Sequence, residues 1–589
     1  MDVNTTNTFI KDETEPLQWQ DYFVISTLML ISVIIGLYYR FSGDRQRTVT
    51  EYFLADNSLG ISSYFIFPFA TMASYVSGVI MLGKTGESYT YGLIIVLMYL
   101  TDVYVVPIVV LCYLPVFYKL KILSIYEYLE RRFGLYTRLL VSVTNFIDTI
   151  LLNGVLLYIP SLALEATTGL SSATSILILA TVCIFYSTLG GIKAVLMTGV
   201  FQGLFMTIAL CIVIGTIADN IDGGIGAIWS IAREGQRIDF SEWTADPTVQ
   251  YTGLSLLFGG GSMCLTYLGV TQVHIQRLLT SKNLKIAINA LFLSGPFISL
   301  AGILICFAGL SLYAIYKDCD PVASEQISTY DKILPHFTVE NLSPGVIGLI
   351  VSGIFSAIMS TISAIINSLA AVALEDYVKP LSRKYGRNIS DKKAIFIAKL
   401  LTVLNGIICI CVALLADTVD KVSTVAFKIH GAVSGPILGI FTLGMINESA
   451  NEMGSIIGMI TALIVCLWAG FGQPKPPVPK LPVSIEGCAN STAWMFTEQM
   501  DFNSTIQPDQ SSYFYLYRIS YLWHNLMGMT ITLVVGYVAS IVVRLIRGGN
   551  NIEHDPSLFI PFLATRIKRR RQDAQKTTNS QLFVLDDLR

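Results

Sequence analysis

Four charged residues stand where charge is expensive. Asp102, Asp148, Lys428 and His430 lie inside long apolar runs, where an ionised side chain costs about 2.5–3.5 kcal/mol on insertion scales unless it is paired or hydrated. Lys428 has two readings. It attracts a carboxylate or another anion, or it pairs with Asp148 across a cavity, tying helices together or standing in for a cation. His430 titrates near neutral pH, although a lone helical His also serves as a satisfied packing residue. Neutral oxygens form a second group. Ser360 and Thr361 set two hydroxyls side by side, with Ala357 one turn earlier on the same face. The run ASYVSGV (73–79) has the small residues that let a helix unwind and bare the carbonyls of Ala73 and Val76. A set made of oxygens alone suits a hard cation. The plainer reading of Ser and Thr in an apolar helix is a bond to their own i−4 carbonyl.

The elements that position these residues must sit in lipid. The chain has 589 residues, 53% apolar and 14% charged, with a mean hydropathy of +0.61, whereas an ordinary soluble domain is about a quarter charged. A soluble fold cannot bury so much apolar surface and still cover its exterior. A disordered chain, a nucleic-acid binder and an ordinary cytosolic enzyme are excluded, and the bilayer is the first partner. Ten cysteines without a CxxC pair suggest neither a zinc site nor a disulfide-rich scaffold. No Walker loop, HExxH, GxSxG or paired-carboxylate pattern occurs, so neither ATP coupling nor hydrolytic chemistry is expected and the chain does not read as an enzyme.

Thirteen apolar runs are long enough to cross: 21–40, 61–83, 91–118, 136–165, 172–189, 192–217, 251–280, 285–316, 344–375, 393–417, 423–446, 453–471 and 519–545. With the N-terminus outside, 28 of the 39 Lys and Arg fall in cytosolic segments and nine outside, which the positive-inside rule favours. The sequons at Asn4, Asn341, Asn490 and Asn503 then face outward as candidate glycosylation sites, while Asn388 faces the cytosol. Cys319 and Cys488 lie in outside loops and form either a bridge or two free thiols. The tail run RIKRRR (566–571) attracts anionic lipid or simply anchors topology.

Two spans carry interruptions, the second at ASYVSGV and the seventh at FGGGS (258–262). A matching pair of broken spans is a pointer to a midplane binding site between two inverted repeats; close helix packing at small residues is the alternative. The expected organisation is an extracellular N-terminus (1–20), a first span and cytosolic loop (21–60), a first repeat (61–217), an extracellular loop (218–250), a second repeat (251–446), two added spans (447–545, with an extracellular loop 472–518) and a cytosolic tail (546–589).

From about residue 50 to 545 the chain resembles the sodium/solute symporters, most of all the iodide, multivitamin and monocarboxylate branch. The resemblance rests on ASYVSGVIMLGKTGESYTYG (73–92), YEYLERRF (126–133), YIPSLALEATTGL (158–170), YSTLGGIKAV (186–195), QVHIQRLLT (272–280), MSTISAIINS (359–368), EDYVKP (375–380), GPILGIFTLGM (435–445) and YRISYLWHNLMG (517–528), in that order. It implies an all-α polytopic membrane protein with a LeuT-type five-plus-five inverted repeat and about 13 transmembrane helices. It also implies that Ala73, Val76, Ala357, Ser360 and Thr361 bind sodium, and that Tyr75, Ile80, Leu152, Asn153, Cys264 and Phe427 line the cargo pocket, with Lys428 adjoining.

Several positions depart from the family pattern. Gly199 stands where an Asp is expected, Asp148 where Gln is common, Thr85 beside Lys84 where a Pro follows the helix break, and Thr271 where an Asn precedes Gln272. The expected function is sodium-coupled symport of a small organic anion, a monocarboxylate or vitamin-like carboxylate, across the plasma membrane by alternating access. A sodium-independent uniporter or exchanger, which Gly199 favours, and a non-transporting sensor of the same fold are the alternatives.

Overall fold

The computed structural model describes residues 17–41, 48–60, 63–386, 389–418, 422–476, 478–488, 513–547 and 555–586. Among them ten helices are long and apolar enough to cross a bilayer: Trp19–Phe41, Leu93–Leu120, Leu135–Glu165, Ser172–Asn220, Leu284–Ile315, Val346–Lys384, Asp391–Ala416, Val422–Ile446, Glu452–Phe471 and Tyr521–Ile546. Two more spans are bent pairs, Tyr64–Tyr75 with Gly78–Tyr91 (65°) and Ser255–Val270 with Gln272–Leu278 (52°).

Ser172–Asn220 is two spans joined at a reversal. Straight, its 49 residues would reach ~74 Å, more than twice a hydrocarbon core of about 30 Å. Gly191 in its middle has φ 59° and ψ −154°, and a Cβ there would come within 2.7 Å of the Tyr52 carbonyl oxygen. Only glycine fits that turn. The two arms share neighbours. The Tyr186 hydroxyl donates to the Met359 carbonyl at 3.2 Å, and a Cβ on Gly353 would meet that of Ala209 at 2.4 Å. Tyr186 and Ala209 would lie ~35 Å apart on a straight helix, yet their partners are less than two turns apart. The spans so counted are thirteen, numbered here in chain order, with Ser172–Asn220 giving spans 5 and 6.

Hydrogen bonds between connections sort the helix ends onto two faces. On one face Leu93 N–H donates to Arg237 O (2.7 Å), Leu481 N–H to Thr90 O (3.3 Å), Asp320 N–H to Ser484 O (2.9 Å) and the Tyr89 hydroxyl to Asp320 Oδ2 (2.8 Å). These residues follow spans 2, 6, 8 and 12. On the other face Ile125 N–H donates to Gln272 Oε1 (2.9 Å), the Ser124 hydroxyl to Asp376 Oδ2 (2.9 Å), Leu59 N–H to Thr280 O (3.2 Å) and the Tyr128 hydroxyl to Leu558 O (3.1 Å). Those residues flank spans 1, 3, 7, 9 and 13. Spans 2 and 7 therefore run in opposite directions, as an inverted repeat requires. Span 9 is the central helix: 94% of its apolar window is buried, against 22% for spans 1 and 13.

Span 2 breaks where the sequence suggests. Ser77 caps a new helix, its hydroxyl accepting from Ile80 N–H at 3.3 Å. Span 7 does not break at FGGGS. That run stays helical, with Ser255–Gly260 as a wider π turn, and its glycines serve close packing. A Cβ on Gly259 would sit 2.5 Å from the Leu522 carbonyl oxygen, and one on Gly261 would collide with the Tyr104 hydroxyl. The bend falls instead at Thr271, which is extended (φ −88°, ψ 137°) and turns its hydroxyl back to Tyr267 O at 2.6 Å. The hydroxyl satisfies a carbonyl that the bend deprives of its i+4 donor.

Cys319 and Cys488 are disulfide-bonded across a sequence separation of 169 residues, which closes the two alternatives left by the sequence. Both lie on the face of the even-numbered span ends. Closing so long a loop stabilises by about 2–4 kcal/mol. Cys319→Ser is expected to lower heat resistance in detergent while leaving the sodium dependence of the surviving carrier unchanged; a shifted sodium dependence would place the bridge in the transport cycle.

Of the sequons, Asn341 ends the helix Ile333–Asn341 with its amide donating to Phe337 O at 3.3 Å. Asn4, Asn490, Asn503 and Asn388 lie outside the described residues.

Candidate functional site

The break in span 2 frees particular carbonyls. In an unbroken helix Ala73 O would accept from Ser77 N–H and Val76 O from Ile80 N–H. Ser77 N–H turns to Tyr75 O (3.1 Å) and Ile80 N–H to the Ser77 hydroxyl. Gly78 starts the second half of the span, so Ser74 O loses its donor as well. Span 9 supplies hydroxyls to this gap. Ser360 Oγ lies 2.5 Å from Ala73 O and 3.2 Å from Ala357 O. Thr361 Oγ1 lies 3.1 Å from Ala357 O and 3.3 Å from Ser74 O. Two hydroxyls and freed carbonyls from two helices thus converge in a buried volume, and no His/Cys/Asp/Glu group that could hold a metal exists among the described residues. Such a neutral oxygen set holds a hard monovalent cation and gives a softer metal no preferred ligand. The local i−4 bond expected of Thr361 is made, to Ala357 O, and the cross-helix bond is made beside it.

Two residues missed in the sequence brace this site. The Ser74 hydroxyl donates to Ser360 O at 3.1 Å. Arg277, buried at 1% exposure, donates from Nη2 to Ser74 Oγ at 2.6 Å and from Nη1 to Ala70 O at 2.8 Å. The guanidinium therefore ties the second half of span 7 to the first half of span 2. Its signal in the sequence is an Arg within the apolar run 251–280, three residues after His274. Gly199 packs at the same spot: a Cβ there would meet Ala70 Cβ at 3.2 Å and Cα at 3.3 Å. Gly199→Asp brings a carboxylate beside the residue that Arg277 grips. We expect it to lower the half-saturating sodium concentration severalfold; an unchanged value removes any role for this position.

Aromatic and polar groups gather next to the break. Tyr75 meets Tyr267 edge-to-face with centroids 4.9 Å apart. The Cys264 thiol donates to Asp102 Oδ1 at 2.9 Å, and the Ser299 hydroxyl lies 3.5 Å from Oδ2. No cation pairs with Asp102 among the described residues. Asn153 is 1% exposed, and neither its amide nitrogen nor its oxygen has a partner. The Tyr267 hydroxyl and both His274 nitrogens are likewise buried and unpartnered. Val79 and Val273, just past the two breaks, pack into one apolar cluster with Phe146, Ile150, Leu152 and Leu156 of span 4 and Ile365 and Leu369 of span 9. Both breaks and the 146–156 stretch therefore share one level. Ile80 is half-buried beside them, and Phe427 of span 11 is 39% exposed.

The pairing of Lys428 with Asp148 is not made. Asp148 Oδ2 lies 3.0 Å from Nδ1 of His430, not against Lys428. Lys428 sits over the Phe471 ring of span 12 at 5.5 Å, and burial together with the nearby Lys428 pushes the Lys475 ammonium below its ordinary value. Positions two apart on a helix are ~200° apart around its axis, so Lys428 and His430 face different neighbours. Lys428→Gln is accordingly expected to leave the apparent KM for an anionic cargo within about twofold; a larger rise would return Lys428 to the pocket.

A bundle of membrane-length apolar helices with two broken spans of opposite direction around a neutral oxygen site defines a secondary carrier of the membrane. Comparison with known proteins agrees. The model of the Sodium:solute symporter family matches residues 52–462. A Drosophila melanogaster protein assigned as a sodium-dependent multivitamin transporter is 41% identical over 566 residues, covering 94% of this chain and 92% of that one. The sodium-coupled monocarboxylate transporter 1 of Mus musculus is 36% identical over 560 residues, covering 92% and 89%. The solved structure of a Na+-coupled sialic acid symporter in a substrate-bound outward-open state superposes with a TM-score of 0.73 at 22% identity, covering 89% of this chain and 98% of that one. The chain belongs to the sodium:solute symporter family, has its LeuT-type fold, and takes sodium as its coupling ion.

Proposed function

We propose that this protein imports a small organic anion, a monocarboxylate or vitamin-like carboxylate, together with sodium across the plasma membrane. The observation that carries this reading is the convergence of Ser360 and Thr361 on the carbonyls freed by the span 2 break. In it the sodium takes Ala73 O, Val76 O, Ala357 O and the two hydroxyls. The cargo lies next to it against Tyr75, Ile80, Leu152, Asn153, Cys264 and Phe427. Asn153 supplies an unspent donor and acceptor, and Tyr75 and Phe427 supply aromatic walls. The two repeats, 61–217 and 251–446, rock about this shared site and expose it to each side in turn. The cargo class draws on the monocarboxylate and multivitamin relatives.

The face holding the disulfide is outside in this reading. A disulfide persists in an oxidising compartment, and the Lys and Arg bias points the same way. Asn341 is then the described sequon available to a glycan, span 12 ends outside, and span 13 and the tail end in the cytosol.

Energetics limit the coupling. One sodium moving with one monovalent anion carries no net charge, so voltage contributes nothing, and a tenfold sodium gradient supports about tenfold accumulation. Stronger concentration needs another cation in the cycle.

The test is uptake of a radiolabelled panel of monocarboxylates, vitamins, iodide and sugars into expressing cells. Saturable carboxylate uptake that disappears when choline replaces sodium is expected. Equal uptake in choline points to a uniporter or exchanger. Ligand-evoked current with no uptake of any solute points to a sensor.

A further inference from the structure

We propose that His430, held by Asp148, receives the carboxylate of the cargo in its protonated imidazolium form, so that a proton binds with the anion. This rests on the cargo being a carboxylate. The observations are geometric. His430 is half-buried, with 45% of its side chain accessible, while Asp148 is 4% accessible. The ring is therefore open to an approaching solute while its partner is not. Its Nδ1 is turned to the Asp148 carboxylate at 3.0 Å, and Nε2, on the opposite edge of the ring, has no partner among the described residues. Asp148 Oδ1 is buried and unpartnered, so the carboxylate has capacity left to hold an imidazolium and no other cation to do it with.

The dyad sits at the cargo level. Asp148 lies between Phe146 and Ile150, which pack with Val79 and Val273 beside the two helix breaks. Leu152 follows it by one turn on span 4, and Phe427 precedes His430 by one turn on span 11. Both residues thus stand one turn from the proposed pocket walls, on the side away from the disulfide face, where they form a floor.

Charge decides the protonation state that binds. Without a proton the dyad carries −1, and a carboxylate brought to Nε2 would meet a lone pair backed by that charge. With a proton on Nε2 the dyad is neutral, Asp148 stays the counter-ion, and Nε2–H donates to the anion. The proton comes from the outer solution. It adds one positive charge to sodium plus anion and supplies the missing cation of the cycle. Other titratable groups around the dyad do not take this role. Lys428 is turned to Phe471, Lys475 is near Lys428, and His524 is near Lys475. Cys264 donates to Asp102, and Tyr126 on the connection after span 3 faces Asp148. Asp148 is a positioning residue, since it reaches the cargo only through His430.

The experiment is sodium-dependent uptake of labelled propionate by the full-length carrier between about pH 5.5 and 8, bracketing the usual imidazole range. In the wild type, the apparent KM is expected to rise about tenfold per pH unit above the imidazole titration and to level off below it. His430→Gln should abolish that slope and raise KM at acid pH at least tenfold, with surface labelling and half-saturating sodium unchanged. Asp148→Asn should move the profile to lower pH. A wild-type KM that is flat with pH, or a His430→Gln protein at the surface with the wild-type slope, overturns the proposal. If His430→Gln does not reach the surface, the wild-type slope and the Asp148→Asn displacement decide. Absence of sodium-driven propionate and other carboxylate uptake at every pH overturns the cargo reading itself; a flat profile with intact uptake overturns the imidazolium role alone.

Discussion

Ser360→Ala raises the sodium concentration for half-maximal uptake by about ten- to a hundredfold, with Thr361→Ala close behind. A hydrogen-bonding or ligating contact to a charged group is worth about 1.5–3 kcal/mol, and 1.4 kcal/mol is a factor of ten. The effect is on binding, because each substitution removes one neutral oxygen from a small set of hydroxyls and carbonyls. It also leaves Ala73 O or Ser74 O without the donor that replaces its lost helical partner, so some loss of maximal rate accompanies it. Thr361→Ser keeps the oxygen and should retain near-normal sodium dependence. Sodium titrations of uptake, corrected for carrier at the cell surface, measure this. Unchanged half-saturation in both alanine variants would remove these hydroxyls from the ion site.

Arg277→Lys is expected to cut the maximal uptake rate at least tenfold, and Arg277→Met to abolish it. The guanidinium spans Ala70 O and Ser74 Oγ at once. Lys retains the charge but not the planar fork, so it satisfies one acceptor and leaves the other buried and bare. Ser74 in turn holds Ser360 O, so the damage passes to the hydroxyls of the proposed sodium site and to the coupling between the two broken helices. The comparison separates two roles. If charge alone mattered, Lys would restore activity; if the two-point tether matters, Lys resembles Met. Surface labelling distinguishes an inactive carrier from one that never matures, and normal uptake by surface-resident Arg277→Met would dispose of the tether.

The membrane class and the first helix break were legible because they depend on local composition. Apolar runs must be long enough to cross lipid, and ASYVSGV has the small residues and the Ser cap that a break requires. Periodicity placed Ala357 one turn before Ser360 and Thr361, but only the resemblance of MSTISAIINS to the family marked the pair out from ordinary i−4 bonding. FGGGS misled because glycine permits two outcomes, unwinding and close approach, and the choice belongs to the neighbour. Here Leu522 and Tyr104 approach, so the helix stays wound and bends at Thr271 instead.

By itself the chain determined that it lives in lipid, where span 2 breaks, and which oxygens share one face of span 9, since all of these follow from residues a few positions apart. Only the tertiary structure decided that Asp148 meets His430 rather than Lys428, that Arg277 grips Ser74, and that Cys319 joins Cys488. Those partners are 169 to 282 residues apart and lie on different helices or connections, and the rotation of each helix about its own axis, which sets what faces what, is fixed by packing against all its neighbours at once.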